Sequence, residues 1–181
     1  ITIPDTVSKI EDESFTLCNL LEEISIPSSV QKFGINIFNT IKKLKISGSI
    51  NKIPFSLFSG CSSLQEISIS PLIERFEEYS FSRCTSLKQI SIPPSVKTVC
   101  ENCFYMCDNL LEIIMDPFQT KIQYKAFNLC KSLKRLKFHD SIDIIPSNSR
   151  IGYGLIGITT ISIPSTVTKI NDEAFLDCYS I

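Results

Sequence analysis

Apolar residues recur along this chain in a fixed order. The clearest unit reads Leu87-x-x-Ile90-x-Ile92-Pro93-x-Ser95-Val96-x-x-Val99-x-x-x-x-Phe104-x-x-Cys107. Its phenylalanine and cysteine return every 23 residues, from Phe81 and Cys84 to Phe104 and Cys107, then to Phe127 and Cys130. Phe15 with Cys18, Phe58 with Cys61 and Phe175 with Cys178 carry the same pair. Self-similarity at this period is the mark of stacked repeats, not of one globular enzyme core.

Each stretch of the unit predicts an element. The segment Leu-x-x-Ile-x-Ile ends with a period of two, which is strand patterning. Ile24 and Ile26, Ile67 and Ile69, Ile113 and Met115, Leu136 and Phe138, and Ile161 and Ile163 repeat it. Alternation turns these side chains inward and their neighbours outward. Proline follows at Pro4, Pro27, Pro93 and Pro164; lacking an N–H, it ends the strand and opens a turn. A second apolar pair, such as Val30 and Phe33 or Val96 and Val99, predicts a short extended piece. Polar runs such as Glu11-Asp12-Glu13 and Asn171-Asp172-Glu173 precede the phenylalanine. Acidic residues there fit the start of a helical turn, at the positive end of its dipole. No coil buries its own apolar side, so the coils must stack, about 4.8 Å apart.

The chain thus reads as a single domain over 1–181, of about eight coils, with both ends truncated mid-repeat. Ile1 and Ile3 match Ile24 and Ile26, and Ile181 matches Leu21. Solenoids generally need polar caps, so uncapped coils at the ends imply a longer parent chain or end-to-end self-association. Two irregularities interrupt the period. From Phe38 to Phe58 is 20 residues, and the coil Ile41-x-x-Leu44-x-Ile46 lacks the three residues that would carry its cysteine. From Phe138 to Ile163 is 25, which predicts a bulged convex loop over 146–154 with Leu155 in the cysteine slot.

The unit closely resembles the BspA-type leucine-rich repeat. Ile26-Pro27-Ser28-Ser29-Val30, Ile92-Pro93-Pro94-Ser95-Val96, Ile163-Pro164-Ser165-Thr166-Val167, Ala126-Phe127-Asn128-Leu129-Cys130 and Ala174-Phe175-Leu176-Asp177-Cys178 carry the resemblance, which spans essentially the whole chain. It implies a right-handed leucine-rich-repeat solenoid, mostly β. A parallel β-sheet would line the concave face, with short extended segments and helical turns on the convex face. Repeats of this kind occur in surface proteins of host-associated bacteria and in protein families of parasitic protists. Some bacterial members bind matrix or plasma proteins as adhesins. A repeat scaffold does not by itself name a ligand.

Net charge is −1, with 18 basic and 19 acidic residues. No charge block suits nucleic acid, and the apolar runs are far shorter than the roughly 20 residues a membrane span needs. Eight cysteines would suggest a disulfide framework in a small secreted chain. Six of them, however, share one repeat position, where a free thiol packs as a small hydrophobe. Parallel Cβ vectors on stacked coils also stay farther apart than the ~3.8 Å of a bridge. In Cys100-x-x-Cys103-x-x-x-Cys107, Cys107 belongs to that column and Cys103 to a small semi-buried slot. Cys100 stands where other coils have Glu11, Glu77 and Asn171, so it is expected to be exposed, as a reactive or bridging thiol. A zinc site wants a second ligand pair, and the single histidine, His139, is distant in sequence; no metal or cofactor is expected.

Nothing reads as catalytic, and no enzyme activity is expected. Gly152-Tyr153-Gly154-Leu155-Ile156-Gly157 has the glycine spacing of a dinucleotide fingerprint, but it lies outside the strand–helix context that motif requires. Binding would use the concave face. One outward row there reads Thr2, Ser25, Lys45, Ser68, Ser91, Ile114, Lys137, Ser162. The row before it reads Glu23, Lys43, Glu66, Gln89, Glu112, Arg135, Thr160. Two places depart from a flat polar surface. Lys134, Arg135, Lys137 and His139 form a basic cluster beside Leu111 and Ile114, and Lys42, Lys43 and Lys45 form a second basic spot. The candidate binding residues are therefore Glu112, Ile114, Arg135, Lys137 and His139, with Lys43, Lys45 and Glu66. The expected partner is a protein, a host or extracellular-matrix protein on the adhesin reading. Such a module would sit at the cell surface. The alternative is a cytoplasmic scaffold, towards which free thiols and the lack of any Asn-x-Ser/Thr acceptor lean.

Overall fold

The computed structural model describes residues 1–116, 119–123, 125–147 and 157–175. Residues 148–154 of the expected irregular loop and Leu155 in the expected cysteine slot lie outside these, as does Cys178. The described residues form a parallel β-solenoid. Fifteen short strands alternate between two faces. On the concave face run β2 (Glu23–Ser25), β4 (Lys43–Ser47), β6 (Glu66–Ser68), β8 (Gln89–Ser91), β10 (Glu112–Met115), β12 (Arg135–Phe138) and β14 (Thr160–Ser162). After each concave turn comes a two-residue strand: β1 (Lys9–Ile10), β3 (Lys32–Phe33), β5 (Lys52–Ile53), β7 (Arg75–Phe76), β9 (Thr98–Val99), β11 (Lys121–Ile122), β13 (Ile144–Ile145) and β15 (Lys169–Ile170). Every strand pairing is parallel.

The alternation works as expected. Ile24, Leu44, Ile90, Ile113 and Leu136 point inward and are buried, and so are Ile26, Ile46, Ile92, Met115 and Phe138 two residues on. Each such side chain contributes roughly 1.5–3 kcal/mol by leaving water. Behind them runs a column of rings. Phe15, Phe38, Phe58, Phe81, Phe104 and Phe127 stack with centroid separations of 5.6, 5.3, 5.2, 5.1 and 4.9 Å. Offset stacking of this kind adds to the burial of the rings.

The convex segment differs from the expected helical turn. Ser82 N–H bonds Tyr79 O, Cys84 N–H bonds Phe81 O and Leu87 N–H bonds Cys84 O, a chain of tight turns, and no helix occurs among the described residues. Left-handed residues bracket the turns and stop a helix from growing. Glu13, Asn36, Ser56, Tyr79, Asn102 and Lys125 have φ between 54° and 60°, and so, four residues later, do Arg83, Met106 and Leu129. A non-glycine residue there costs roughly 1–2 kcal/mol. In return, alternate N–H groups swing along the solenoid axis onto the next coil. Phe58, Phe81 and Phe104 N–H bond Ser80, Cys103 and Ala126 O at 2.8–2.9 Å, and Gly60, Arg83 and Met106 N–H bond Ser82, Tyr105 and Asn128 O at 2.7–3.0 Å. These turns form a third line of inter-coil bonds.

The concave sheet is not continuous, contrary to expectation. It divides into β2-β4-β6 and β14-β12-β10-β8. The second ladder divides into β1-β3, β5-β7-β9-β11 and β13-β15. The breaks are staggered. Where β6 and β8 fail to bond, β7 and β9 pair; where β3 and β5 fail, β2 and β4 pair; where β11 and β13 fail, β10 and β12 pair. The break between β3 and β5 falls at the 20-residue coil. The missing residues shorten the convex path, so Asn36 and Phe38 make no turn bond to the next coil. On the concave side β4 slides by two residues, which sets Ile24 against Ile46 and keeps the inward parity. A slip of two is the smallest that keeps the apolar face inside.

The cysteine column is a run of donors. Cys84, Cys107 and Cys130 Sγ donate to the carbonyls of Phe58, Phe81 and Phe104 at 3.2, 3.1 and 3.0 Å. The same carbonyls accept the N–H of Cys61, Cys84 and Cys107, so both lone pairs of each buried oxygen are used. All seven described cysteines are free thiols. Cys100 corrects an expectation: it is fully buried. It follows directly on β9, and its thiol tucks close to Arg75, Glu77 and Glu78 instead of projecting as the polar residues of other coils do. Burial pushes the Cys61 thiol up to about 12 and raises Cys84, Cys100 and Cys103 above their ordinary value. Among the described residues, native protein at neutral pH should therefore offer a thiol reagent little more than half-buried Cys18 and Cys130, whereas denatured protein should offer all eight thiols of the chain. A group whose folded pKa is raised stabilises below its unfolded value, so stability should fall as pH rises past about 8.5. A native count near eight, or a stability flat across that range, contradicts this account.

Candidate binding face

Outward residues of the concave strands line up across coils. Glu112 stands between Gln89 and Arg135, and Ile114 between Ser91 and Lys137. The acidic and basic residues of the face largely cancel. Arg135 Nε lies 3.4 Å from Glu112 Oε1, Lys43 Nζ 2.9 Å from Glu66 Oε1, and Lys45 Nζ 2.9 Å from Glu23 Oε1. The last pair departs from the expected rows. The slip of β4 sets Lys45 against Glu23, not Ser25, and Ser47 against Ser25. Exposed to water and salt, these cross-strand pairs contribute little to stability. The spot at Lys43 and Lys45 is thus neutralised by its neighbours.

The second spot keeps free charge. Lys137 has no ion pair among the described residues and is half-buried beside half-buried Ile114. Leu111 is 40% exposed. Its N–H bonds Lys88 O at 2.8 Å, and its carbonyl accepts Lys134 N–H at 3.2 Å. Both of those lysines are exposed. His139 lies one residue past β12, its N–H bonded to Met115 O, and its ring Nε2 is covered and unpartnered among the described residues. It is withdrawn from the cluster that Arg135 and Lys137 present.

Sequence reasoning missed a cleft. Where β6 and β8 part, a depression of about 610 Å³ opens, lined by Gln65, Glu66, Ile67, Ser86, Lys88, Gln89, Ser91 and Asn109. Ile67 is only half-buried there, whereas its counterparts Leu44 and Ile90 are buried. The 23-residue spacing from Glu66 to Gln89 is regular, so the period carries no sign of the break. One local signal exists. Buried Ser70 occupies the usual proline place, Pro71 comes one residue late, and the Ser70 hydroxyl accepts Leu72 N–H at 3.2 Å. A second depression of about 630 Å³ marks the break between β3 and β5, beside exposed Phe55. No cluster of three metal-ligating side chains occurs among the described residues. Cys103 Sγ faces Ser80 Oγ at 3.2 Å while Cys107 Sγ bonds Phe81 O, so the cysteine run does not converge. No helix among the described residues is long and apolar enough to cross a membrane.

Comparison with known proteins agrees with this architecture. A search of curated proteins found no match. Among solved structures, a leucine-rich repeat protein from Bacteroides ovatus is 27% identical with a TM-score of 0.67, over 90% of this chain and 41% of that one. The chain thus spans about two fifths of that protein's length. The T. pallidum leucine-rich repeat protein is 20% identical with a TM-score of 0.51, over 100% of this chain and 77% of its own. The family model for the BspA type leucine rich repeat region matches residues 1–110 and 66–181, in 6 copies. Together with the coil geometry, this places the chain in the BspA type leucine-rich repeat family.

Proposed function

We propose that this chain is a non-enzymatic protein-binding module, part of a cell-surface adhesin-like protein, and that it binds through its concave face. The observation that carries the reading is the apolar spot of Leu111 and Ile114 set among basic residues on an otherwise balanced polar sheet. An aliphatic anchor beside arginine is the usual composition of an interface centre. Membership of a family whose bacterial relatives include adhesins supports the surface location. Purified matrix and plasma proteins, tested against the wild-type chain, give the assay. Ile114→Ser combined with Arg135→Glu should abolish any binding found without lowering the melting temperature. Unchanged affinity in the double variant rules the face out.

A second reading, a cytoplasmic scaffold using the same face, is favoured by the free thiols of the cysteine column, since reduced thiols persist best in reducing compartments. Labelling intact source cells with an impermeant reagent separates the two. Recovery of labelled chain supports the surface, and labelling only after lysis supports the interior.

A further inference from the structure

The concave face has more cations than it can neutralise. Every carboxylate on its strands is already spent: Glu23 on Lys45, Glu66 on Lys43, Glu112 on Arg135. Lys42, Lys88, Lys134 and Lys137 remain without an ion pair among the described residues, and the last three are gathered in one place. Lys88 and Lys134 flank Leu111 through the backbone bonds on either side of it, and Lys137 stands opposite Ile114. Neighbouring coils are about 4.8 Å apart, so three ammonium groups share a small area with no counter-charge. Water and salt screen part of their mutual repulsion, and an anionic partner would remove the rest. Leucine and isoleucine at the centre of that area ask in addition for an aliphatic contact. Beside them, the cleft lined by Gln65, Gln89 and Asn109 offers amides that suit a peptide main chain.

We infer that the partner presents an acidic segment: an extended stretch of protein that lays an aliphatic side chain on Leu111 and Ile114 and sets carboxylates against Lys88, Lys134 and Lys137. This rests on the concave face being the binding face. A sulfated glycan or a polynucleotide would satisfy the charge but brings no aliphatic anchor, so the apolar pair selects a peptide. Rim charges of this kind govern partner choice and salt dependence more than raw affinity.

The test uses fluorescein-labelled probes and anisotropy. The first is a short peptide of repeating Glu-Leu-Asp-Gly, the second its counterpart with lysine for both acids, and the third is oligodeoxythymidine. The acidic peptide should bind the wild-type chain at least roughly tenfold more tightly than either of the others. Lys88→Glu, Lys134→Glu and Lys137→Glu together should weaken it on the order of 100-fold, and Lys→Gln at the same three positions by less. Raised salt should weaken it as well. Equal binding of acidic and basic peptides overturns the inference, as does tighter binding of oligodeoxythymidine or indifference to the triple variant. Failure here is distinct from failure of the binding face. If Ile114→Ser with Arg135→Glu abolishes binding of a matrix or plasma protein while the triple lysine variant leaves it intact, the face stands and the acidic partner falls. If the double variant also has no effect, the face itself falls.

Discussion

Phe104→Ala should cost the chain about 4 kcal/mol, as much as any single truncation here. Phe104 is fully buried and lies between Phe81 and Phe127, at 5.1 and 4.9 Å and nearly parallel to both, with Phe76 edge-on at 6.3 Å. Truncation removes the ring's burial and leaves a cavity whose walls cannot close. The coils on either side are held in register by the turn bonds from Phe81 N–H to Cys103 O and from Phe104 N–H to Ala126 O. A fixed backbone prevents the neighbouring rings from collapsing into the gap, so the loss should fall in the upper part of the range for such truncations. Phe15→Ala is the control. Phe15 has one stacked neighbour, Phe38, and is only partly buried, so its loss should be about half as large. Urea titration of both variants reads the difference. A Phe104→Ala loss below about 1 kcal/mol would show that the ring column does not hold the stack.

Gly48→Ala should be nearly as damaging, for a different reason. Gly48 has φ of +96°, and a Cβ there would strike the carbonyl oxygen of Ile26, with its nitrogen at 2.6 Å and its carbonyl carbon at 2.8 Å. The positive φ alone costs alanine roughly 1–2 kcal/mol. Displacing the Ile26 backbone should bring the total to about 3 kcal/mol. That backbone cannot shift freely. Ile26 N–H bonds Ser47 O and Ile26 O accepts Ser49 N–H, both at 3.1 Å. These bonds extend the β2–β4 pairing, the only strand ladder that joins those two coils. The change thus strikes a junction that lacks both a second ladder and the turn bonds of Asn36 and Phe38. Hydrogen exchange should show faster opening of residues 23–26 than in the wild type, with the β8–β10–β12 region unaffected. Uniform exchange across the chain would contradict this placement.

The period of 23 residues made much of the architecture legible. Ile24, Ile90, Ile113 and Leu136 occupy the places that alternation assigns them, and the phenylalanine and cysteine columns are both inside. What escaped depends on backbone geometry that side-chain type does not encode. Glu13, Tyr79 and Lys125 give no hint of left-handed φ, because that conformation is imposed by the bonds to the next coil rather than favoured by the residue. Cys100 looked exposed because its counterparts are polar, yet the place can also be covered. The three-residue deficit near Phe38 was visible, but how the strands would absorb it was not. Parity allowed no slip, a slip of two, or an open ladder, and the molecule uses the last two on opposite faces. The same limit applies to the binding face. Ile114, Arg135 and Lys137 were identifiable as departures from the repeat. Which cations remain free depends on cross-strand partners that only the register reveals.

The staggered breaks bear on how such an array can change over time. A coil fastened at several independent places tolerates an error at one of them. Recombination that drops or adds a few residues therefore need not be lethal, provided another fastening at that junction survives. Copy number and outward residues can then drift with little regard to each other, which lets one ancestral cassette furnish many recognition surfaces without redesign of its interior.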